Sequence, residues 1–238
     1  FGDEPPYDGQ QGYFPNRYPH ACYAAMISYL DEQVGQLVEQ LKALGLYENT
    51  LFLVSSDNGP TYNGGTDSPW LNSGGPFKCD PGWGKGSLHE GGIRVPLVAS
   101  WPGHVPSGST CDLPCAFWDV LPTLCEVAGA DAPRDTDGIS FAPTLLGQRK
   151  QREHAYLFWE YPEAGGQQAV RMGRWKAIRS GIRKGKMKTA LFDLDADPRE
   201  ENDLAAQHPD IVGQLEQLMR DARVPPALDA FKLKALGD

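Results

Sequence analysis

The segment TLFLVSSDNGP, residues 50–60, decides the fold of this chain. Its first seven residues, 50–56, form a short and almost continuous apolar run rather than an alternating one. Such a run is typical of a strand that is covered on both faces in a parallel sheet. Asp57 and Asn58 follow directly, at the carboxyl end of the predicted strand, where open α/β sheets place their ligand crevice. The segment therefore predicts an α/β fold with a polar site at the edge of the sheet.

An amphipathic helix is predicted before this strand, from about Pro19 to a stop near Gly45. Apolar residues recur there at steps of three and four, which places them on one helical face that we expect to belong to the core. They are Met26, Ile27, Leu30, Val34, Leu37, Val38, Leu41 and Leu44. A helix followed by a buried strand is typical of α/β layering.

Two domains are predicted after this point of the chain. A further helix is expected over residues 117–128, and the main domain is expected to cover residues 1–147. Residues 148–238 begin with a charged linker and continue with four short strand-like runs separated by turn residues. His208 and Pro209 then precede an amphipathic helix. We therefore expect a small antiparallel sheet packed with a helix.

Composition limits the classes of partner. The chain has 238 residues, 40% of them hydrophobic, and a formal net charge of −9. An acidic chain lacks the broad positive field of nucleic-acid and membrane-surface binders, so we expect neither partner. No segment approaches the roughly 20 apolar residues that a membrane span requires. Five cysteines favour buried thiols or one disulfide over a metal cluster of His104, Cys111 and Cys115.

Asp57 and Asn58 offer hard oxygen donors. A carboxylate beside an amide carbonyl suits Ca²⁺ or Mg²⁺, whereas zinc and copper sites favour His or Cys. The alternative is a tight turn, because Asn and Gly tolerate positive φ. A simple hairpin needs its second strand within a few residues, but a long Gly-rich segment follows here, from Gly59 to about Gly86. A metal site and a turn both remain open interpretations.

A glycine-flanked lysine lies at the end of the Gly-rich segment. Lys85 stands between Gly84 and Gly86 in GWGKGSLHEGGIRVP, residues 82–96. Its ammonium could bind an anion while the glycines let the backbone come close to it. The alternative is an exposed lysine that serves solubility.

These motifs resemble those of the type I sulfatases, a family within the alkaline phosphatase superfamily. SSDNGP (55–60), GWGKGSLHEGGIRVPLVASWPG (82–103), DVLPTL (119–124) and DGIS (137–140) occur in the family's order and approximate spacing. The segments at 165–179 and 191–205 resemble the family's C-terminal sheet and the turn after it. The resemblance implies the C-terminal part of an alkaline-phosphatase-like sandwich with a mainly parallel sheet, followed by the small antiparallel sheet and helix.

The resemblance also implies roles for particular residues. Asp57 and Asn58 would bind Ca²⁺, with Mg²⁺ as the alternative cation, and Lys85 would contact the sulfate ester. Glu90 and Arg94 lie in the same signature, where we expect an internal ion pair rather than substrate contact. The implied activity is hydrolysis of a sulfated carbohydrate or aryl sulfate. Among sulfatases, the motifs most resemble those of bacterial enzymes that act on polysaccharides. An extracellular, periplasmic or lysosomal location is expected from the family alone.

The family's nucleophile is not found in this sequence. Sulfatases need a C/S-x-P/A-x-R motif that is oxidised to formylglycine, and none of the five cysteines fits it. Ca²⁺ takes about 6 to 8 oxygens, more than Asp57 and Asn58 can supply. We therefore expect the chain to be a C-terminal fragment that is inactive alone, with formylglycine in a missing N-terminal part.

Two other functions stay open. One is a phosphoesterase of the same superfamily, and the other is a non-catalytic module that binds sulfated glycans. The second rests on residues 171–188, where eight of eighteen residues are Arg or Lys. They could form a rim for a polyanion, with Trp159, Tyr161 and Trp175 as sugar platforms. A solvated hairpin is the alternative.

Overall fold

The computed structural model describes residues 4–10, 13–148 and 150–238. Within them the chain forms two compact units. The first contains the residues up to Leu30 together with Ser56–Val95 and Phe158–Asp238, and the second contains Asp31–Ser55 and Pro96–Leu157. The proposed boundary between residues 147 and 148 stays a prediction. No helix in the described part of the chain is long and apolar enough to cross a membrane.

The predicted strand after the first helix is present, but its sheet differs from the expectation. Strand β1 (Phe52–Ser55) pairs antiparallel with β2 (Leu97–Ser100) in a two-stranded sheet. No parallel pairing occurs among the residues that the structure describes, so the prediction of a mainly parallel sheet is wrong there. The apolar run indicated a strand, but it carries no information about the direction of the partner strand. Val54 is exposed as well, so β1 is not covered on both faces.

Helix α1 (Pro19–Ala43) forms where the periodicity predicted a helix. The expected burial of its apolar face is not observed, since Met26, Leu30 and Leu37 are all more than half exposed. Periodicity shows which face of a helix is apolar, but it does not show what covers that face. Helices α2 (Glu90–Ile93), α3 (Val120–Ala128) and α4 (Ala142–Leu145) follow along the chain. Of these, α3 confirms the helix expected over residues 117–128.

The second unit is held by a buried carboxylate. Asp119, just before α3, accepts hydrogen bonds from the backbone N–H groups of Ala116 and Ile139 at 2.7 and 2.8 Å. The ring Nε2 of His154 lies 2.8 Å from the same carboxylate. Asp119 is 1% exposed. One side chain therefore joins the start of α3 to two later segments of the unit.

The first unit contains a four-stranded sheet in the order β3-β4-β5-β6. The strands are β3 (Leu157–Tyr161), β4 (Gln167–Met172), β5 (Trp175–Ser180) and β6 (Thr189–Asp193). β4 pairs antiparallel with β5, and β5 with β6. Helix α5 (Pro209–Asp221) packs on β4, β5 and β6 through the buried residues Leu215 and Met219. The predicted small antiparallel sheet packed with a helix is confirmed.

Candidate active site

Two glycine-rich loops of the first unit lie against each other. One is the DNGP loop, residues 57–60, and the other runs from residue 82 to 94 and is called the lysine loop here. The N–H of Gly59 donates to the carbonyl of Gly92 at 2.8 Å, and the N–H of Lys85 donates to the carbonyl of Pro60 at 2.9 Å. The two motifs that the sequence singled out therefore meet through their backbones.

Glycine is required at this contact because the backbones approach too closely for a side chain. A Cβ on Gly59 would lie closer than 3.0 Å to the carbonyl oxygen of Gly91, and a Cβ on Gly91 would lie equally close to the carbonyl oxygen of Lys78. Both clashes are with backbone, which cannot swing away as a side chain can. Gly59 and Gly91 thus allow the two backbones to pack closely, which a residue with a Cβ could not do here.

Asp57 and Asn58 differ in how the protein holds them. The amide Nδ2 of Asn58 donates to the carbonyl of Gly59 at 3.0 Å, and the hydroxyl of Ser56 donates to the carbonyl of Asn58 at 2.9 Å. Because the amide nitrogen is engaged by the backbone, the side-chain oxygen of Asn58 is the atom left for another partner. Asp57 is exposed, and its carboxylate has no hydrogen bond or ion pair within the described ranges.

This donor set fits a hard cation in kind. An ionised carboxylate and an amide oxygen on adjacent residues are ligands of the type that Ca²⁺ takes. The described residues contain no group of three or more His, Cys, Asp or Glu side chains that could hold a metal ion. That finding also gives no support to a metal cluster of His104, Cys111 and Cys115. Asp57 and Asn58 can thus be part of a calcium site, with further oxygens required from elsewhere.

Lys85 presents a cation with no acidic partner among the residues that the structure describes. Its side chain is exposed, and its backbone is fixed to Pro60. Gly86, directly after it, has a φ of +86°, a conformation that side chains disfavour. An ammonium carried on a fixed backbone is suited to binding an anion.

A glutamine from the sheet clamps the lysine loop on both sides of Ser87. The side chain of Gln167, at the start of β4, donates from Nε2 to the carbonyl of Gly86 at 2.8 Å. Its Oε1 accepts from the N–H of Leu88 at 3.1 Å. Gln167 is 6% exposed, so these two bonds compete little with water. The residue after Lys85 is therefore held by the C-terminal sheet.

A buried ion-pair cluster anchors the other end of the loop. Lys176 on β5 is fully buried, and its Nζ lies 2.7 Å from Oε1 of Glu90 and 3.1 Å from Oε1 of Glu200. Glu200 also accepts a hydrogen bond from the N–H of Glu90 at 2.6 Å. Arg94 reaches Glu90 at 3.3 Å, so the ion pair expected from the sequence is confirmed. We call Glu90, Glu200 and Lys176, which are all buried, the buried cluster, and the exposed Arg94 is its neighbour.

Charge in the buried cluster sets the protonation of Glu90. Burial alone would raise the pKa of this carboxyl, but the charge and hydrogen bond of Lys176, together with the charges of Arg171 and Arg94, outweigh it. The pKa of Glu90 is held below its ordinary value of 4.5. Glu90 is therefore an ionised partner of Lys176 at neutral pH.

His89 is packed rather than free. Its ring packs against Trp83 in a tilted arrangement with 3.9 Å between ring centroids, and its Nδ1 lies 3.2 Å from Oε2 of Glu200. The ammonium of Lys78 also contacts this tryptophan, with Nζ 4.3 Å from the centroid of Trp83. The sequence offered no role for His89, and in the structure its ring contacts Trp83 and lies close to Glu200.

The basic run at 171–188 is neither a plain solvated hairpin nor a uniform rim. Lys176 belongs to the buried cluster, and Arg179 is 6% exposed and pairs with Glu216 at 2.9 Å. Two of the proposed sugar platforms, Trp159 and Tyr161, pack against the hydrophobic core of the sheet. The exposed basic residues of this run are concentrated at positions 183–188.

All five cysteines of the chain are free thiols.

Comparison with known proteins matches the chain to two family profiles. One is described as "Sulfatase" and covers residues 3–130, and the other is described as "N-sulphoglucosamine sulphohydrolase, C-terminal" and covers residues 81–224. This chain belongs to the sulfatase family. The family resemblance of its DNGP and lysine-loop motifs is thereby confirmed.

Sulfatases of distant organisms are similar to the chain along most of its length. Human arylsulfatase A is 34% identical over 90% of this chain and 45% of its own length. The N-acetylgalactosamine-6-O-sulfatase of Bacteroides thetaiotaomicron is 29% identical over 91% of this chain and 46% of its own length. This sulfatase chain therefore spans less than half the length of these relatives.

A solved structure shows the same fold. Ps i-CgsB, determined also in complex with k-i-k-neocarrahexaose, aligns with a TM-score of 0.73 and 29% identity. The alignment covers 86% of this chain and 43% of that one. The sulfatase fold predicted for the chain is thus supported by its backbone as well as by its sequence.

Replacing Lys176 should destabilise the fold strongly. Lys176→Met leaves Glu200 buried without its lysine counter-ion and Glu90 with only the exposed guanidinium of Arg94. Breaking a buried ion pair typically costs about 3–5 kcal/mol of unfolding free energy. Urea unfolding of the variant and the wild type measures this cost. Lys188→Met is the matched control, because the Lys188 side chain is 86% exposed and should change stability by less than about 1 kcal/mol. Equal midpoints for the two variants would contradict a charged, buried cluster.

Acid should weaken the fold through Glu90. Because its folded pKa lies below the ordinary value of 4.5, the unfolded chain binds a proton first as the pH falls. The contribution of Glu90 to stability is therefore complete above pH 4.5 and declines below it. Unfolding free energy measured as a function of pH should show a smaller slope below 4.5 in Glu90→Gln than in the exposed control Glu153→Gln. An unchanged slope would mean that Glu90 does not titrate in this way.

Proposed function

We propose that this chain forms the Asp57, Asn58 and Lys85 part of a sulfatase active site that hydrolyses sulfate esters. The observation that carries the proposal is the backbone pairing of the DNGP loop with the lysine loop. Gly59 bonds to Gly92, and Lys85 bonds to Pro60. Two potential metal ligands and an unpaired cation are thereby held on adjoining loops, in a chain that belongs to the sulfatase family.

Lys85 would bind the sulfate group of the substrate. Its ammonium can donate hydrogen bonds to sulfate oxygens and to the bridging oxygen, where negative charge grows as the S–O bond breaks. Because the loop backbone is fixed by Pro60 and Gln167, little reorganisation is needed during the reaction. Lys85 is assigned as a binding and charge-stabilising group, not as the nucleophile.

Asp57 and Asn58 would hold a divalent cation, Ca²⁺ by the chemistry of their oxygens. When bound, such a cation neutralises sulfate oxygens and lowers the pKa of a nucleophile next to it. The exposed carboxylate of Asp57 would supply charge, and the side-chain amide oxygen of Asn58 would supply a neutral ligand. The backbone bonds made by Ser56 and Asn58 keep both ligands at the start of the DNGP loop.

Formylglycine does not fit any residue of this sequence. None of the five cysteines begins a C/S-x-P/A-x-R motif, so no step through that group is assigned to this chain. We propose that the nucleophile and the remaining oxygen ligands come from sequence outside these 238 residues. The chain by itself is then inactive.

We propose a location outside the cytoplasm or in lysosomes, because that location is expected of the sulfatase family.

A phosphoesterase would differ in its metal ligands. Catalytic zinc sites draw on His as well as on Asp or Glu. The oxygen-only pair of Asp57 and Asn58 agrees better with Ca²⁺. Sulfate esters are therefore the favoured substrates, either on a carbohydrate or on an aryl group.

Asp57→Ala should weaken calcium binding as well as catalysis. The substitution removes one charge and up to two oxygen ligands, and we expect an affinity for Ca²⁺ at least about tenfold lower, or about 1.4 kcal/mol. Titration calorimetry of the complete gene product measures this change. Asp131→Ala, at an exposed position of the second unit, is the control with the same loss of charge. Full calcium affinity in Asp57→Ala would favour the turn interpretation of DNGP.

Lys85→Ala should lower kcat/KM for an aryl sulfate by at least about tenfold, equivalent to about 1.4 kcal/mol of transition-state stabilisation. The assay uses the complete gene product with saturating Ca²⁺, so that metal occupancy is the same in both proteins. Lys150→Ala removes an exposed lysine elsewhere and should leave the kinetics unchanged. Wild-type kinetics in the Lys85 variant would remove this residue from the site.

A further inference from the structure

Two asparagines of the chain stand directly before a glycine. They are Asn58 in the DNGP loop and Asn63 in the segment that follows it, and no other asparagine of the sequence precedes a glycine. An asparagine in this position is prone to spontaneous deamidation, because a following residue without a Cβ lets its backbone nitrogen come close to the side-chain amide. Asparagine counts among the thermolabile residues of proteins. The sequence therefore contains two candidate modification sites near the proposed active site.

Deamidation is an attack within the chain. The backbone nitrogen of the glycine loses its proton and forms a bond to Cγ of the asparagine, while the bond from Cγ to Nδ2 breaks and ammonia leaves. Water then opens the succinimide ring to give either aspartate or isoaspartate, in which the backbone runs through the former side chain. The reaction therefore requires a glycine nitrogen that is free to move and a side-chain amide that can turn towards it.

The structure withholds both requirements at Asn58. The N–H of Gly59, the nitrogen that would attack, donates to the carbonyl of Gly92 at 2.8 Å, and Gly59 is buried. The amide Nδ2 of Asn58 donates to the carbonyl of Gly59 at 3.0 Å, and the hydroxyl of Ser56 fixes the carbonyl of Asn58 at 2.9 Å. Ring closure would break the bond to Gly92 and leave a buried carbonyl without its donor, which is unfavourable.

Packing against the lysine loop adds a steric barrier at Gly59 that Gly64 lacks. A Cβ on Gly59 would overlap the backbone carbonyl of Gly91, so the lysine loop lies directly against the peptide that would have to move. A Cβ on Gly64, the glycine after Asn63, would first meet the ring of Tyr13, at 3.3 Å. A ring can turn aside, whereas a paired backbone cannot. The two asparagines thus share a sequence context but differ in what restrains them.

We infer that Asn58 is a deamidation site that the pairing of the DNGP loop with the lysine loop keeps unreactive. Separation of the loops therefore starts an irreversible modification. The isoaspartate product lengthens the backbone by one carbon beside Gly59, where the contact with Gly91 leaves no space for an added atom, so the loops cannot pair again as before. The aspartate product places a second carboxylate next to Asp57.

The reaction follows from the geometry of the two loops alone. Only its effect on a bound cation rests on the proposed function, in which Asn58 supplies a neutral oxygen ligand. Under that function, a transient opening of the loops is converted into a permanent change of the metal site. Deamidation then limits the lifetime of the site, and the contact between Gly59 and Gly92 determines how long that lifetime is.

Peptide mapping by mass spectrometry measures the reaction at each asparagine. The complete gene product is incubated in a mildly alkaline buffer with EDTA, once folded and once in urea, and each folded rate is divided by the rate of the same asparagine in urea. This ratio removes the effect of local sequence. We expect Asn58 to react at least about tenfold more slowly in the folded protein than in urea, because the reaction waits for a local opening. Equal rates in the two states would overturn the inference.

Gly91→Ala should release Asn58 from this protection. The new Cβ would overlap the carbonyl oxygen of Lys78 and displace the neighbouring Gly92, which accepts the bond from Gly59. We expect Asn58 to react at least about tenfold faster than in the folded wild type, and Asn63 to change by less than about twofold.

Gly213→Ala is the matched control, because nothing lies within 4 Å of a Cβ at that position, and it should leave both rates unchanged. A wild-type rate at Asn58 in folded Gly91→Ala would refute the role of the loop pairing. If Gly91→Ala does not fold, the comparison of the folded and unfolded wild type decides the question alone.

The outcome for deamidation is separate from the outcome for hydrolysis. The incubation contains no free calcium, and its readout is the mass of a peptide rather than turnover. Absence of sulfatase activity together with loop-dependent deamidation would refute the proposed function and leave the inference intact. An active enzyme in which Asn58 reacts equally fast folded and unfolded would refute the inference alone.

Discussion

A lysine ammonium with no access to water is costly to bury unless opposite charges or hydrogen-bond acceptors are buried with it. Lys176 meets two such carboxylates, those of Glu90 and Glu200, and each comes from a different part of the chain. Glu200 even takes a φ of +57°, a conformation that costs about 1–2 kcal/mol for a residue with a side chain. The ion pairs offset that cost. Strand β5, the lysine loop and the segment after β6 are thereby fixed to one point.

The rest of the candidate site follows from this anchor. Once Glu90 is fixed, the glycines that follow it lie against Gly59, and backbone hydrogen bonds hold the DNGP loop to the lysine loop. Gln167 holds the same loop nearer to Lys85, through the carbonyl of Gly86. The small C-terminal sheet is therefore a support for the loops that carry the proposed chemistry, rather than an appendage to them. This division explains why loops that contain several glycines can present charged side chains in defined positions.

The sequence predicted local structure well and tertiary partners poorly. Strands β4 to β6 and helix α5 lie in the segment after residue 148 where strand-like runs and an amphipathic helix were predicted, because turn residues and periodicity are local signals. The direction of the partner of β1 and the exposure of the apolar face of α1 depend on what packs against them, which no local pattern encodes. Arg94 was correctly paired with Glu90, four residues apart on one helical turn. The contacts of Glu90 with Lys176 and of Leu88 with Gln167 span 86 and 79 residues, and no motif indicated them.

The amines of the chain differ sharply in their access to solvent. Acylating reagents attack lysines that water can reach, such as Lys85 and Lys184, whereas the amine of Lys176 is fully enclosed and engaged by two carboxylates. Chemical labelling therefore passes over Lys176 for as long as the cluster stays closed. A label on this lysine would show that the loops had separated from the sheet. The reactivity of one amine therefore reports whether the site is intact.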